Sequence, residues 1–212
     1  MLGSRESPGW LAFPRRLKPA LLCLAVLAAP ASAGTRPHVA LRDGDVVLQT
    51  SRSAQSDGIQ RATRSPWSHV GVIEVGPDGP RVIEAIGRVS RTPWHAFRRR
   101  GEGDVLVLRP RALDPSRARR VVAEAARFLG RPYDARFGWS DARIYCSELV
   151  AKAYERGAGV ELGRRERLGD LHLSGLEDAI RARWGTVPRD LELVTPASIA
   201  ADEDLVEVYR GP

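Results

Sequence analysis

At 212 residues the chain is long enough for one domain with a sizeable core, and its 43% hydrophobic and 28% charged content fits a folded globular protein. Its 20 glycines and 15 prolines rule out a collagen-like fibre, and two cysteines rule out a disulfide scaffold or a four-cysteine zinc module. The net charge of +7 is almost wholly arginine, with Lys18 and Lys152 the only lysines among 33 basic residues; it reflects coding bias as much as selection and gives no support to a nucleic-acid partner.

Arg5, Arg15, Arg16 and Lys18 precede an apolar run over 20–29, which is followed by Pro30-Ala31-Ser32-Ala33. Basic, then apolar, then small is the order of a secretory signal, cleaved here after Ala33. The apolar run is half the roughly 20 residues a membrane span needs. Leu22 before Cys23 argues against a lipoprotein, and Pro14 before Arg15-Arg16 against a twin-arginine signal. The expected mature chain, residues 34–212, is a single domain without a transmembrane segment, periplasmic or secreted. Cleavage also removes Cys23, leaving Cys146 unpaired in a compartment that favours disulfides. Such a thiol needs a reason.

Residues 34–44 read as a polar lead-in and 45–49 as a buried strand, with Val46, Val47 and Leu48 in succession. A short helix over 53–63 is weakened by Gly58. The β-rich runs 69–75 and 81–86 flank turn residues from Gly76 to Pro80 and predict a hairpin. Another strand covers 104–108 and ends at Pro110. The clearest helix is 115–129, with Asp114 as N-cap, Pro115 in the first turn and Gly130 as its stop. A second runs over 146–156, with Leu149, Val150, Ala153 and Tyr154 on one face and Gly157 ending it. A weaker helix over 175–184 and a strand over 205–209 close the chain. The fold class is α+β, a small antiparallel sheet packed with helices.

Cys146 lies where a loop enters the second helix. A thiol there meets unpaired N–H groups and the positive end of the helix dipole, both of which favour the thiolate. A buried, inert cysteine is the alternative. Of the histidines His38, His69, His95 and His172, only His69 falls within the predicted sheet. Glu84 interrupts the apolar Val82-Ile83-Glu84-Ala85-Ile86, so it faces water or has a partner. A loop over 76–79 pairs Val75 with Pro80 and makes His69 and Glu84 diagonal neighbours on one face. A five-residue loop puts them on opposite faces. Arg98-Arg99-Arg100 reads as a solvated basic face, His95 as a loop histidine, and most of Trp67, Trp94, Trp139 and Trp184 as core. No phosphate-binding glycine loop or credible metal set is present, and no cofactor is expected.

From about Asp43 to Leu162 the chain resembles the permuted, papain-like cysteine hydrolases of the YiiX/YebB type, relatives of the NlpC-type cell-wall peptidases. The resemblance rests on five short pieces in the family's order. These are Gly44-Asp45-Val46-Val47, Ser68-His69-Val70-Gly71, Val82-Ile83-Glu84-Ala85, Leu129-Gly130-Arg131-Pro132-Tyr133-Asp134 and Tyr145-Cys146-Ser147-Glu148. It implies a circularly permuted papain-like (NlpC-like) fold, with Cys146 as nucleophile, His69 as base and Glu84 orienting the histidine. The Cys146 N–H is one oxyanion donor; Tyr145, Gln49 and Tyr133 are candidates for oxyanion or substrate contact. Residues 164–212 match less clearly and read as a cap or substrate-binding segment.

Together these imply an exported thiol hydrolase cleaving an amide, with peptidoglycan peptides as the expected substrate. A lipid-directed acylhydrolase or acyltransferase is the alternative within enzymes. A non-catalytic cell-wall-binding module is the alternative outside them. A lipid substrate requires a long apolar groove, whereas a peptide requires fixed polar groups beside Cys146.

Overall fold

A computed structural model describes residues 40–212. The expected signal over 1–33, its cleavage point, Cys23, His38 and the start of the lead-in lie outside the described residues. Among the described residues, no helix is long and apolar enough to cross a membrane.

Six antiparallel strands form the main sheet in the order β4-β3-β2-β1-β5-β8. Their ranges are β1 Val46–Ser51, β2 His69–Gly76, β3 Gly79–Ile86, β4 Arg88–Pro93, β5 Gly101–Pro110 and β8 Leu205–Gly211. A second, two-stranded sheet pairs β6 (Arg165–Arg167) with β7 (Glu192–Val194). The helices are α1 Ala54–Thr63, α2 Trp94–Arg100, α3 Pro115–Ala126, α4 Cys146–Ala158, α5 Glu177–Trp184 and α6 Pro196–Ala200.

Both faces of the main sheet are covered, which is why its central strands read as continuous apolar runs rather than alternating ones. Val46, Leu48, Val70, Val72 and Ile83 pack under α3 and α4, against Val121, Ala125, Leu149 and Tyr154. Val47, Ile73, Val82, Val105 and Val107 form a smaller cluster closed by Phe97 of α2. Asp45 is buried and held by the Arg109 fork at 2.7 and 2.8 Å, while the Tyr154 hydroxyl donates to the Gly44 carbonyl. The Gly44-Asp45 motif is therefore a brace joining β1 to β5 and α4.

Asp114 caps α3 as expected, accepting from the Ser116 and Arg117 N–H groups at 2.8 and 3.0 Å. The helix stops at Ala126 rather than 129. Gly157 does not end α4; Gly159 does, with a φ of +65°. Gly157 instead lets α3 approach. A Cβ there would lie 2.6 Å from the Val121 nitrogen. Arg120 donates to the Gly157 carbonyl at 3.0 Å, and Arg117 donates to that of Ala158, satisfying the last carbonyls of α4.

The sequence reading missed β4, α2, β6, β7 and α6. Edge strand β4 is short, charged and proline-terminated, a composition that protects an edge but hides a strand. The hairpin turn is tighter than expected, with Gly76 paired to Gly79, but Val75 does pair with Pro80. That register sets the geometry of the site.

Candidate active site

β3 pairs with β2 only from Val72 onward, opposite Ile83, so the start of β2 separates from its neighbour. Gly71 lies at this split. A Cβ on it would come 2.5 Å from Val82 Cγ1, 2.9 Å from the Ile83 carbonyl and 3.3 Å from Glu84 Cβ. The room that glycine leaves lets the His69 ring lean across to β3. His69 Nε2 meets Glu84 Oε2 at 2.5 Å, on one face of the hairpin.

Both oxygens of Glu84 are also taken by Arg100, at the end of α2. Nη1 donates to Oε1 at 2.9 Å and Nη2 to Oε2 at 2.6 Å. Glu84 has no exposure at all, and a buried carboxylate requires such a partner. The arginine run is thus not a uniform solvated face: Arg98 lies over Trp94, Arg99 is exposed, and Arg100 belongs to the site. His95 is exposed on α2, away from these groups.

Cys146 opens α4 directly beside this pair. The segment before it is pinned by three backbone bonds: Tyr133 N–H to Gly87 at 2.8 Å, Ile144 N–H to Pro132 at 3.1 Å, and Asp134 N–H to Ile144 at 3.2 Å. This sets Tyr133 alongside Ile144, two residues before Cys146. No Ser, Thr, Asp or Asn caps α4; Glu148 reaches back to the Tyr145 N–H at 3.2 Å and also meets buried Lys152 at 2.7 Å. The Ser147 hydroxyl ties α4 to β7 through the Val194 carbonyl at 2.8 Å. With Nε2 of His69 given to Glu84, Nδ1 is the nitrogen left for the thiol.

The electrostatics favour an ion pair. Burial alone would raise the Cys146 thiol, but the hydrogen bond and charge of His69, with the Val70 and Ser147 N–H groups, bring it below its ordinary value. Val70 N–H has no β3 partner because of the split in the ladder. Burial opposes the charged His69 ring, yet hydrogen bonds to Cys146 and Glu84 and their charges raise it to about 9. Glu84 falls to about 2 against its own burial, through His69 and Arg100. Burial raises Glu148 to about 7, with Lys152 opposing.

Cys146 also lines a cavity of about 260 Å³. Its walls are largely aliphatic and aromatic: Ile59 from α1, Phe137, Leu171, Leu176, Ile180 from α5, and Trp184 among them. Its hydroxyls are mostly spent inside the protein. Ser147 is bonded to Val194, Thr195 donates to Glu166 at 2.8 Å, Thr63 donates to the Ile59 carbonyl at 2.8 Å, and the Tyr145 hydroxyl accepts from the Val194 N–H at 3.2 Å.

Of the three oxyanion candidates, Tyr133 is the best placed. It lines the cavity, and its oxygen accepts from Gln55 at 2.7 Å, which leaves its proton to donate. Burial first, then the Cys146 charge, raises it well above a free phenol. Tyr145 lines the cavity with its hydroxyl turned to Val194. Gln49 does not line it: the residue is fully buried opposite His69, with its amide oxygen 2.4 Å from where a Gly101 Cβ would stand. Of the four tryptophans among the described residues, Trp67 is core, Trp94 stacks on Phe97, Trp139 carries Lys152 and Arg165, and only Trp184 lines the cavity. Arg100 and the cavity are what the sequence reading missed.

Comparison with known proteins bears on the family and the fold. Residues 40–209 match the model of a family described as permuted papain-like amidase enzymes, YaeF/YiiX, C92 family. The uncharacterized protein YiiX of Escherichia coli K12 is 34% identical over 199 residues, covering 92% of this chain and 96% of its own. A crystal structure described as metalloprotein YiiX from Escherichia coli O157:H7 superposes with a TM-score of 0.76 at 35% identity, over 79% of this chain and 96% of that one.

Proposed function

The chain belongs to the permuted papain-like amidase family and is a cysteine hydrolase, and from that premise we propose that it cleaves long-chain acyl amides through Cys146, His69 and Glu84. The observation that carries the choice of substrate is the apolar cavity that Cys146 helps to line. A peptide needs hydrogen-bonding groups along its backbone, and three hydroxyls lining the cavity already donate their protons within the protein, while that of Tyr145 is turned to the Val194 N–H. The acyl reading is therefore preferred to the peptidoglycan peptides expected from sequence.

In the proposed mechanism the Cys146 thiolate attacks the amide carbonyl while His69 holds the proton taken from the thiol. The Cys146 N–H, free of any intrahelical acceptor at the first position of α4, and the Tyr133 hydroxyl donate to the developing oxyanion. His69 then passes its proton to the leaving amine. Glu84, clamped by Arg100, keeps the ring oriented and supports its charge. Water, activated by the now neutral His69, hydrolyses the acyl-enzyme. The metal named for the E. coli O157:H7 structure finds no donor set here: among the described residues, no group of three His, Cys, Asp or Glu side chains could hold one, and both Glu84 oxygens face a guanidinium. The segment over 1–33 is proposed as an export signal, to be checked by a mature N-terminus at Gly34.

The test is fatty-acid release from N-acylethanolamines of increasing chain length, with defined muropeptides in parallel. kcat/KM is expected to rise about fourfold per buried methylene until the groove is filled, at about 0.8 kcal/mol each. Cys146→Ala abolishes release. Cleavage of muropeptides with no effect of acyl length overturns the acyl reading.

A further inference from the structure

Among the residues lining the apolar cavity, one is charged: Arg183, near the end of α5. Its neighbour Arg181 is tied to Asp178 at 2.8 Å. Arg183 has no carboxylate partner among the described residues. Its Nη1 donates to the Ala135 carbonyl at 3.3 Å, and its guanidinium carbon stands 5.6 Å from the Trp184 ring centre. Nη2 and Nε are left for a ligand.

The position of this cation matters as much as its isolation. Ala135 is two residues past Tyr133, which lines the cavity together with Cys146. The Trp184 ring lies tilted at 6.1 Å from that of Phe137, which in turn meets Tyr145, the residue before the nucleophile, edge-on at 5.3 Å. The charge of Arg183 is felt at Tyr133. Arg183 therefore lines the cavity beside the elements that carry Tyr133 and Tyr145, and no other side chain in the lining is charged. An acyl chain has no use for a guanidinium. The amine half of the amide, which leaves from the Cys146 end, is the part that meets it.

We propose that Arg183 is a specificity residue that grips an anionic group, carboxylate or phosphate, on the amine half of an acyl amide whose chain occupies the apolar cavity. This rests on the acyl-amide reading above and narrows it to acyl amides carrying a negative charge close to the scissile bond. A planar fork with two free donor positions suits either anion.

The experiment compares three dodecanoyl amides: N-dodecanoylglycine, N-dodecanoyl-O-phosphoethanolamine and the neutral N-dodecanoylethanolamine. The unmodified enzyme is expected to favour at least one anionic substrate by about ten- to a hundredfold in kcat/KM, the range of a charge-assisted hydrogen bond. Which one it favours identifies the anion. Arg183→Gln brings the ratio close to one, and Arg183→Lys, with charge but no fork, gives an intermediate value. Equal rates on charged and neutral amides, or a preference that survives Arg183→Gln, overturns the proposal. Failure of the acyl reading shows differently, as equal turnover of acetyl and dodecanoyl ethanolamides. Should no amide turn over, calorimetric affinities of the same three for Cys146→Ala carry the same ratio, and absence of binding by all three refutes both readings.

Discussion

Replacing Arg100 by glutamine removes the only cation besides His69 that faces Glu84 among the described residues. The carboxylate has no exposed surface, so the loss cannot be made good by water without opening α2. Glu84 drops from 4.5 to about 2 in the fold, and one unit is worth about 1.4 kcal/mol, so its charged form is favoured by about 3 kcal/mol, shared between His69 and Arg100. Breaking a fully buried pair costs about 3–5 kcal/mol. The Arg100 side chain is 31% exposed, which lowers the expected loss to about 2 kcal/mol. A carboxylate with a depressed value stabilises the fold above about 4.5 and loses that contribution as pH falls through about 2. Without Arg100 this loss occurs at higher pH. Chemical denaturation of Arg100→Gln at pH 7 and pH 4 reads both effects, with Arg99→Gln, an exposed neighbour on the same helix, as control. The acid limb of the pH–rate profile should move up as well, because a protonated Glu84 no longer supports the imidazolium. Equal midpoints for the two variants, with the acid limb unmoved, would refute the argument that Arg100 holds Glu84 charged.

Gly71→Ala would place a methyl 2.5 Å from Val82 and 2.9 Å from the Ile83 carbonyl, so it should destabilise the fold by about 1–3 kcal/mol and depress activity by moving Glu84 away from His69; thermal unfolding and kcat/KM measure the two effects. Gly157→Ala in an exposed helix would gain about 1 kcal/mol, but against the Val121 backbone at 2.6 Å it should lose stability, and the sign of the change in denaturation midpoint decides. With His69 raised to about 9, activity should fall as pH rises through about 9, and a pH–rate profile flat to pH 10 would contradict the charged ring. Ile180→Trp should fill the groove, lowering kcat/KM for dodecanoyl amides far more than for acetyl amides; parallel losses would argue against chain binding there.

The parts of the site that local pattern could reach were legible in sequence. A carboxylate in an apolar strand, a histidine in its hairpin partner and turn residues between them gave a register that the Val75–Pro80 pair matches. Arg100 was hidden because it ends a run of three arginines, and composition does not distinguish one that turns inward. The available signal was on the other side: a buried Glu84 needs more than one histidine. The cavity was hidden for a different reason. Its walls come from α1, the 133–137 segment and residues 168–196, none of which shows an unusual pattern alone. Leu168, Leu171, Leu173 and Leu176 are spaced as an ordinary buried stretch would be. Gly157 reads as a helix end because glycine usually is one, whereas close helix packing depends on a partner that sequence does not display.

The most direct test is the pH dependence of Cys146 alkylation by iodoacetamide in the native protein, compared with His69→Ala. A thiolate stabilised by His69 and by the Val70 and Ser147 N–H groups should react well below pH 8.5, and His69→Ala should move the dependence towards an ordinary thiol. Labelling that appears only on denaturation, or a pH dependence that the histidine does not alter, would contradict a nucleophile formed by Cys146 and His69.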